Sequence, residues 1–281
     1  MIATSPFDHT PFHDLGPRNA RPRVALVNGD KHNINARFVL ARLSAYLNSL
    51  ERGDPALPGQ LRQRVLLLPS GDPAQLPEEL RVQVAQAWHR VELETGDFGM
   101  DALPQVRLPA GPSDDERASA CLFGLPSVSE RESDADPCDR HSPWMDLWVQ
   151  GFGEQYTVSA GHGHELQPAM CERLFRAMVA FLLRVEVIRG IELAEEEEDL
   201  HYFGAGQVFH YRSERSGLFV FRQSPGQWLQ AGDLLGYLYN DRDGTLLEEL
   251  RAPVPGLLAG LRRDPLVTEG ALLALIHRRT V

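Results

Sequence analysis

Four of the ten histidines stand in segments whose other residues suit metal chemistry. His32 follows Asn28-Gly29-Asp30-Lys31, His141 follows Asp139-Arg140, and His162 and His164 flank a glycine ahead of Glu165. Neutral imidazole is a good ligand for zinc and other late transition metals, so His32, His141, His162 and His164 together have the donors for such an ion. Hydrogen-bonded or solvated histidines are the plainer alternative, because alternate residues of a His-Gly-His loop need not converge. Ser159 precedes His162 in the same stretch, but no Gly-x-Ser-x-Gly elbow surrounds it and a serine hydrolase is not indicated. Of the 28 Lys and Arg residues only Lys31 is a lysine. Nothing in its sequence neighbourhood would lower its pKa, so an ion pair with Asp30 or Asp139 is a simpler role than amine catalysis.

The elements that must position these residues alternate along the first two thirds of the chain. Residues 23–27 form a buried apolar run, and 35–50 carry Phe38, Val39, Leu43, Tyr46, Leu47 and Leu50 near helical spacing, giving a strand-turn-helix unit. Residues 64–68 are a second short strand, ended by Pro69-Ser70-Gly71-Asp72-Pro73. Helices are expected over 78–88 and 114–123, the latter capped by Ser113 with Glu116, and residues 95–113 between them read as loop. Residues 146–150 and 155–159 read as further strands, and 168–189 as a long amphipathic helix closed by Gly190. Trp144, Trp148 and Phe152 suit core packing or a subunit interface. This alternation indicates an α/β layer architecture over residues 23–200, after an irregular segment at 1–22.

Residues 195–199 are five acids in succession, read as a solvated linker, and beyond them the texture changes to short apolar runs broken by Gly and Pro. Residues 201–281 are therefore expected to be a smaller β-rich domain. They contain an echo: Gly217-Leu218-Phe219-Val220 leading to Gly236-Tyr237-Leu238, and Gly256-Leu257-Leu258-Ala259 leading to Ala274-Leu275-Ile276. Two similar halves suggest a pseudo-symmetric barrel-sandwich of the kind seen in biotinyl and lipoyl domains. The hairpin between them, Asn240-Asp241-Arg242-Asp243-Gly244, lacks the lysine that cofactor carriage needs.

Composition narrows the remaining classes. A chain of 281 residues with 43% hydrophobic and 24% charged residues is long enough for a large core, and its net charge of −11 argues against a nucleic-acid binder. Cys121, Cys138 and Cys171 have no paired or metal-type spacing, which fits a reducing compartment and hence the cytoplasm. The amino terminus lacks the apolar region of a signal peptide, and the longest apolar stretch, 177–188, is cut by Arg184 and Glu186, so no membrane segment is expected.

Several motifs in this order resemble the succinylglutamate desuccinylase and aspartoacylase family, relatives of the zinc carboxypeptidases. Leu68-Pro69-Ser70-Gly71-Asp72-Pro73 is similar to its strand ending in Pro-x-x-Asn-Pro, and Asp115-Glu116-Arg117-Ala118 to its Glu-Arg-hydrophobic-Ala helix. Asp139-Arg140-His141-Ser142 resembles its Asp-Leu-His-Ser turn, and Thr157-Val158-Ser159-Ala160-Gly161 its Thr-hydrophobic-Glu-hydrophobic-Gly strand. The resemblance implies a zinc-carboxypeptidase-like α/β domain with a mixed sheet, followed by a smaller all-β barrel-sandwich-like domain. It also implies a zinc held by His-x-x-Glu and a later His, a Glu as general base, and arginines gripping the substrate carboxylate.

Against that template Asn28 and Lys31 replace the first two ligands, Ser159 replaces the base, and only His141 survives as a third ligand. An amide is a poor zinc ligand and an ammonium is repelled by the metal. The substrate-gripping Asp-x-Asn-Arg maps near Asp101-Ala102-Leu103-Pro104, which leaves Asp101, with Arg140, as the substrate-binding candidates. The expectation is a member that has lost catalysis and acts as a binding or regulatory partner, pairing with an active relative or with itself and taking a small acyl-amino-acid-like ligand. The alternative is a metal-dependent amidohydrolase for an N-acyl amino acid or small peptide, with zinc only if the histidines form a rearranged site. A ligand sensor is a third possibility.

Overall fold

The structure, a computed structural model, describes residues 12–30, 32–69, 72–96, 99–132, 142–149, 151–163, 165–193 and 199–279. Its centre is a mixed α/β sheet whose first strands are the apolar runs of the sequence. Among the described residues these are β1 (His13–Leu15), β2 (Val24–Asn28), β3 (Gln60–Leu61) and β4 (Val65–Leu68). β5 (His89–Gly96), β6 (Met100–Leu108), β7 (Ser127–Glu130), β8 (Glu154–His162) and β9 (Ile188–Arg189) follow. β2 pairs in parallel with β4 and β5, and β5 in parallel with β8, while β6 runs antiparallel to β8. Parallel strands covered on both faces account for the near-continuous apolar run of β2 and β4.

Helices α1 (Ile34–Glu51) and α5 (Pro168–Arg184) pack on one face of this sheet. Their buried residues, among them Leu40, Leu43, Leu47, Leu174, Phe181 and Leu182, meet Leu26, Val91, Leu93, Val106, Val128, Tyr156 and Val158 in the largest core. α2 (Glu78–Ala85) and α4 (Pro143–Val149) cover part of the other face, where Leu80, Val84, Trp144 and Trp148 pack on Ala25, Val27, Leu66 and Leu68. α3 (Asp114–Ala120) starts at Ser113 with the expected reciprocal cap and runs into a 3-10 turn over Cys121–Phe123.

Three local expectations are corrected. Residues 146–150 were expected as strand, but α4 covers Pro143–Val149; Trp144 and Trp148, four apart, sit on one helical face and are both 1% exposed. Residues 95–113 hold the long strand β6 rather than only loop. The helix expected over 168–189 stops at Arg184, and Glu186 takes a φ of 62°, turning the chain into β9, which pairs with β3.

The second half is built from β10 (His201–Phe203), β11 (Val208–Arg212), β12 (Gly217–Phe221), β13 (Trp228–Leu229) and β14 (Leu234–Tyr239). It continues through β15 (Leu246–Arg251), β16 (Gly256–Arg262), β17 (Leu266–Val267) and β18 (Leu272–Arg278). The two echoed segments each form an antiparallel pair, β12 with β14 and β16 with β18. These pairs lie in different sheets and bury Phe219, Leu235 and Leu238 against Leu258, Leu261, Leu273 and Ile276. The central sheet does not stop at residue 200. β6 pairs through Met100–Ala102 with β16 and through Gln105–Leu108 with β7, and β7 pairs on its far side with β10. No helix among the described residues is long and apolar enough to cross a membrane.

Candidate functional site

Period-two alternation places one set of side chains in the apolar core and sends the other set to the opposite face. On β5 that set is Arg90, Glu92 and Glu94; on β8, Thr157 and Ser159; on β6, Gln105 and Arg107; on β7, Ser127 and Ser129. Strand registry lines them into two rows. Glu92, Thr157, Arg107 and Ser129 are lateral neighbours, and so are Glu94, Ser159, Gln105 and Ser127. Glu92 is 1% and Glu94 7% exposed, and buried carboxylates need compensation. Glu94 forms an ion pair with Arg107. Arg131, just beyond β7, donates to Thr157 Oγ1 at 3.4 Å and to Met145 Sδ at 3.0 Å. Glu92 lies over Gly29, where an added Cβ would meet the carboxylate and force the Glu92 side chain to shift.

Asn28 ends β2 beside this face and is 1% exposed. Its Nδ2 donates to Pro69 O at 3.0 Å and to Asn33 O at 3.4 Å, while its Oδ1 accepts from Asp30 N at 3.3 Å. The Trp144 indole donates to the Asn28 carbonyl at 3.1 Å. The amide therefore ties β2, the end of β4 and the start of α1 together, and α4 is anchored on the same residue. Asn33 caps α1 by accepting from Ala36 N at 2.9 Å.

Ser159 is 4% exposed in mid-strand, between Glu94 and Gln105. His162 closes β8: its backbone N donates to Gln167 Oε1 at 3.0 Å, its carbonyl accepts from Asn35 Nδ2 at 3.0 Å, and its Nε2 lies 3.6 Å from Glu165 Oε1. Gly161, at φ 65°, makes the bend that brings this loop under Gln167. His32 is exposed, with its backbone N on Asp30 Oδ1 at 2.8 Å. Asp101, at the start of β6, is engaged by Arg263 at 2.7 and 2.9 Å, so it joins β6 to the strand region after β16. Lys31, Arg140, His141 and His164 lie outside the described residues.

Among the described residues no group of three His, Cys, Asp or Glu side chains is placed to hold a metal ion. Nor do those at the template positions fit zinc: the Asn28 amide is committed to three backbone partners, and a serine hydroxyl stands at Ser159. The residues that sequence reasoning missed are Glu92, Glu94, Gln105, Arg107 and Arg131. Only Glu92 and Glu94 carry a local signal, the polar-apolar alternation of Arg90, Val91, Glu92, Leu93 and Glu94. Residues 92–95, Glu-Leu-Glu-Thr, also follow the acid-Leu-x-hydroxyl order sought at 139–142, on a strand hydrogen-bonded between β2 and β8.

No protein-family model matches the sequence, and no curated protein matches it. Solved structures do match, and they share the fold. The product-bound ectoine utilization protein EutE (DoeB) of Ruegeria pomeroyi is 18% identical, covering 92% of this chain and 86% of its own, with a TM-score of 0.72. A succinylglutamate desuccinylase from a Silicibacter species is 16% identical, with 95% and 88% coverage and a TM-score of 0.73. An aspartoacylase family protein of Mesorhizobium loti is 14% identical, with 93% and 86% coverage and a TM-score of 0.68. The chain has the fold of the succinylglutamate desuccinylase and aspartoacylase structures over nearly its whole length.

Proposed function

We propose that this chain is a divergent aspartoacylase-like protein that binds rather than hydrolyses, and serves as a binding or regulatory partner of an active relative or of a second copy. The observation that carries the reading is the commitment of Asn28. Both ends of its amide are hydrogen-bonded to backbone, so the residue at a ligand position works as a cross-link within the fold. The Glu94–Arg107 pair supports the same reading, because opposite charges side by side on the polar face supply internally the compensation that a metal supplies to carboxylates elsewhere.

The test is to measure metal content in protein purified without added zinc, together with hydrolysis of N-succinylglutamate. The expected outcome is folded protein with substoichiometric metal and no turnover. Stoichiometric zinc, lost together with hydrolysis on His141→Ala, overturns the reading and establishes the amidohydrolase in its place. The double change Asn28→His with Lys31→Glu complements it: restored zinc binding supports the placement of both residues at the ligand positions.

A further inference from the structure

Where β10 and β13 approach the end of β18 the surface holds an open cleft of about 400 Å³. Its walls include His201, Tyr202, Phe203, Trp228, Arg278 and Arg279, none of which belongs to the polar face of the central sheet. Pockets for small ligands run from roughly 300 to 1,000 Å³, so this concavity has the size for one.

The lining is aromatic. Phe203 is buried at the base, packed with Leu103 and Leu257. His201 meets Trp228 at 5.0 Å between ring centroids and 88° between planes, a contact that steadies the indole without stacking on it. Trp228 is nevertheless 45% exposed, and a flat ring laid on it would recover that area.

The charge beside these rings is uncompensated. Arg279 follows β18, its guanidinium carbon 5.9 Å from the Trp228 ring centroid, and it makes no ion pair among the described residues. An exposed indole face is a weak partner for such a cation. Arg278 likewise has a carbonyl and not a carboxylate as its side-chain partner, since its Nη2 donates to Gly206 O. Its backbone is tied to Gln207, with Arg278 N on Gln207 O at 2.8 Å and Gln207 Nε2 on Arg278 O at 3.3 Å, which fixes the chain that carries Arg279. A chain of net charge −11 thus keeps two arginines without carboxylate partners at one aromatic cleft.

We propose that this cleft binds a planar aromatic molecule carrying an anionic group. The ring stacks on Trp228, and the anion lies beside the indole within reach of Arg279. The site is independent of whether the polar face hydrolyses anything.

Calorimetric titration of the full chain with 2-naphthoate, 2-naphthamide and decahydro-2-naphthoate tests it, alongside Trp228→Leu and Arg279→Gln. Naphthoate is expected to bind about fivefold tighter than its saturated counterpart, the ratio one aromatic stack supplies. It should bind about threefold tighter than the uncharged amide, the ratio of an exposed ion pair. Trp228→Leu should erase the preference for the planar ring and leave the preference for charge. Arg279→Gln should do the reverse. Thermal midpoints identify any variant that fails to fold; should Trp228→Leu do so, Arg279→Gln, at an exposed position beyond the last strand, decides. No binding of naphthoate by the wild type, equal binding of the planar and saturated acids, or naphthoate binding unaltered in either folded variant overturns the proposal.

Discussion

At the scale of single residues, His277 gives the clearest solution signature. It is 2% exposed, and burial, with the charges of Arg107 and His210 adding to it, pushes its pKa down to about 3. The unfolded chain then binds a proton at His277 below about pH 6.5 that the folded chain refuses until near pH 3. Stability contributed by the neutral ring is full above pH 6.5 and falls as pH drops, by at most about 1.4 kcal/mol per pH unit for one proton. Urea unfolding between pH 7 and 5 should show that slope, and His277→Gln should flatten it. His13, also shifted down by burial, acts in the same direction, so the difference between the two proteins is the readout. The window is kept above pH 5 because the Glu154 carboxylate titrates lower down. Burial alone would raise that carboxyl, but bonds from His89 and Tyr156, the His89 charge and a bond from Ser119 hold it at about 2. Its stabilisation is complete above about pH 4.5 and is lost towards pH 2. A slope unchanged by His277→Gln would show that the ring is not buried neutral.

At the scale of elements, the capping box of α3 does more than start a helix. Ser113 Oγ accepts from Glu116 N at 3.2 Å, and Glu116 Oε2 accepts from Ser113 N at 2.8 Å, while Glu116 Oε1 also accepts from Gln155 N of β8 at 2.9 Å. Ser113→Ala should cost about 1 kcal/mol, the ordinary worth of an N-cap. Glu116→Ala should cost more, because a strand N–H loses its acceptor as well; equal losses in urea unfolding would make the β8 bond worthless. That cap was legible in sequence from Ser113 and Glu116 alone, as were β2, β4, α1 and β8, whose apolar runs or helical spacing are unambiguous. The alternation of Arg90 to Glu94 marks β5 as a strand, but nothing local says that its polar half, Arg90, Glu92 and Glu94, is buried rather than solvated. β6 was hidden by Pro104, which argues against a strand interior; the ladder with β8 is irregular between Ala102 and Gln105, and the proline sits in that gap. The site follows the same division. Asn28 and Ser159 are singled out by motif alone, whereas the Glu94–Arg107 contact depends on strand neighbours that only the sheet order supplies.

At the scale of the whole molecule, the break in texture near residue 200 suggests two parts that fold separately, and the hydrogen bonding says otherwise. β6 is shared: its first residues pair with β16 and its last with β7, and β7 carries β10 on its other edge. Arg263, after β16, adds an ion pair with Asp101 of β6 and stacks on Phe221 at 4.1 Å. His277 of β18 bonds Ser127 of β7. A chain cut after Asp199 would therefore bare the edges of β6 and β7. Open strand edges template association between copies, so residues 1–199 alone should be insoluble or oligomeric. Residues 200–281 alone lose the partners of β10 and of the start of β16 and should show little cooperative unfolding. Co-expression of the two pieces should recover a soluble complex with a single thermal transition. The measurement is size-exclusion chromatography with calorimetry on each piece and on the pair. A monomeric, cooperatively unfolding 1–199 would mean that the strands shared across residue 200 contribute little, and that the sequence boundary is also the folding boundary.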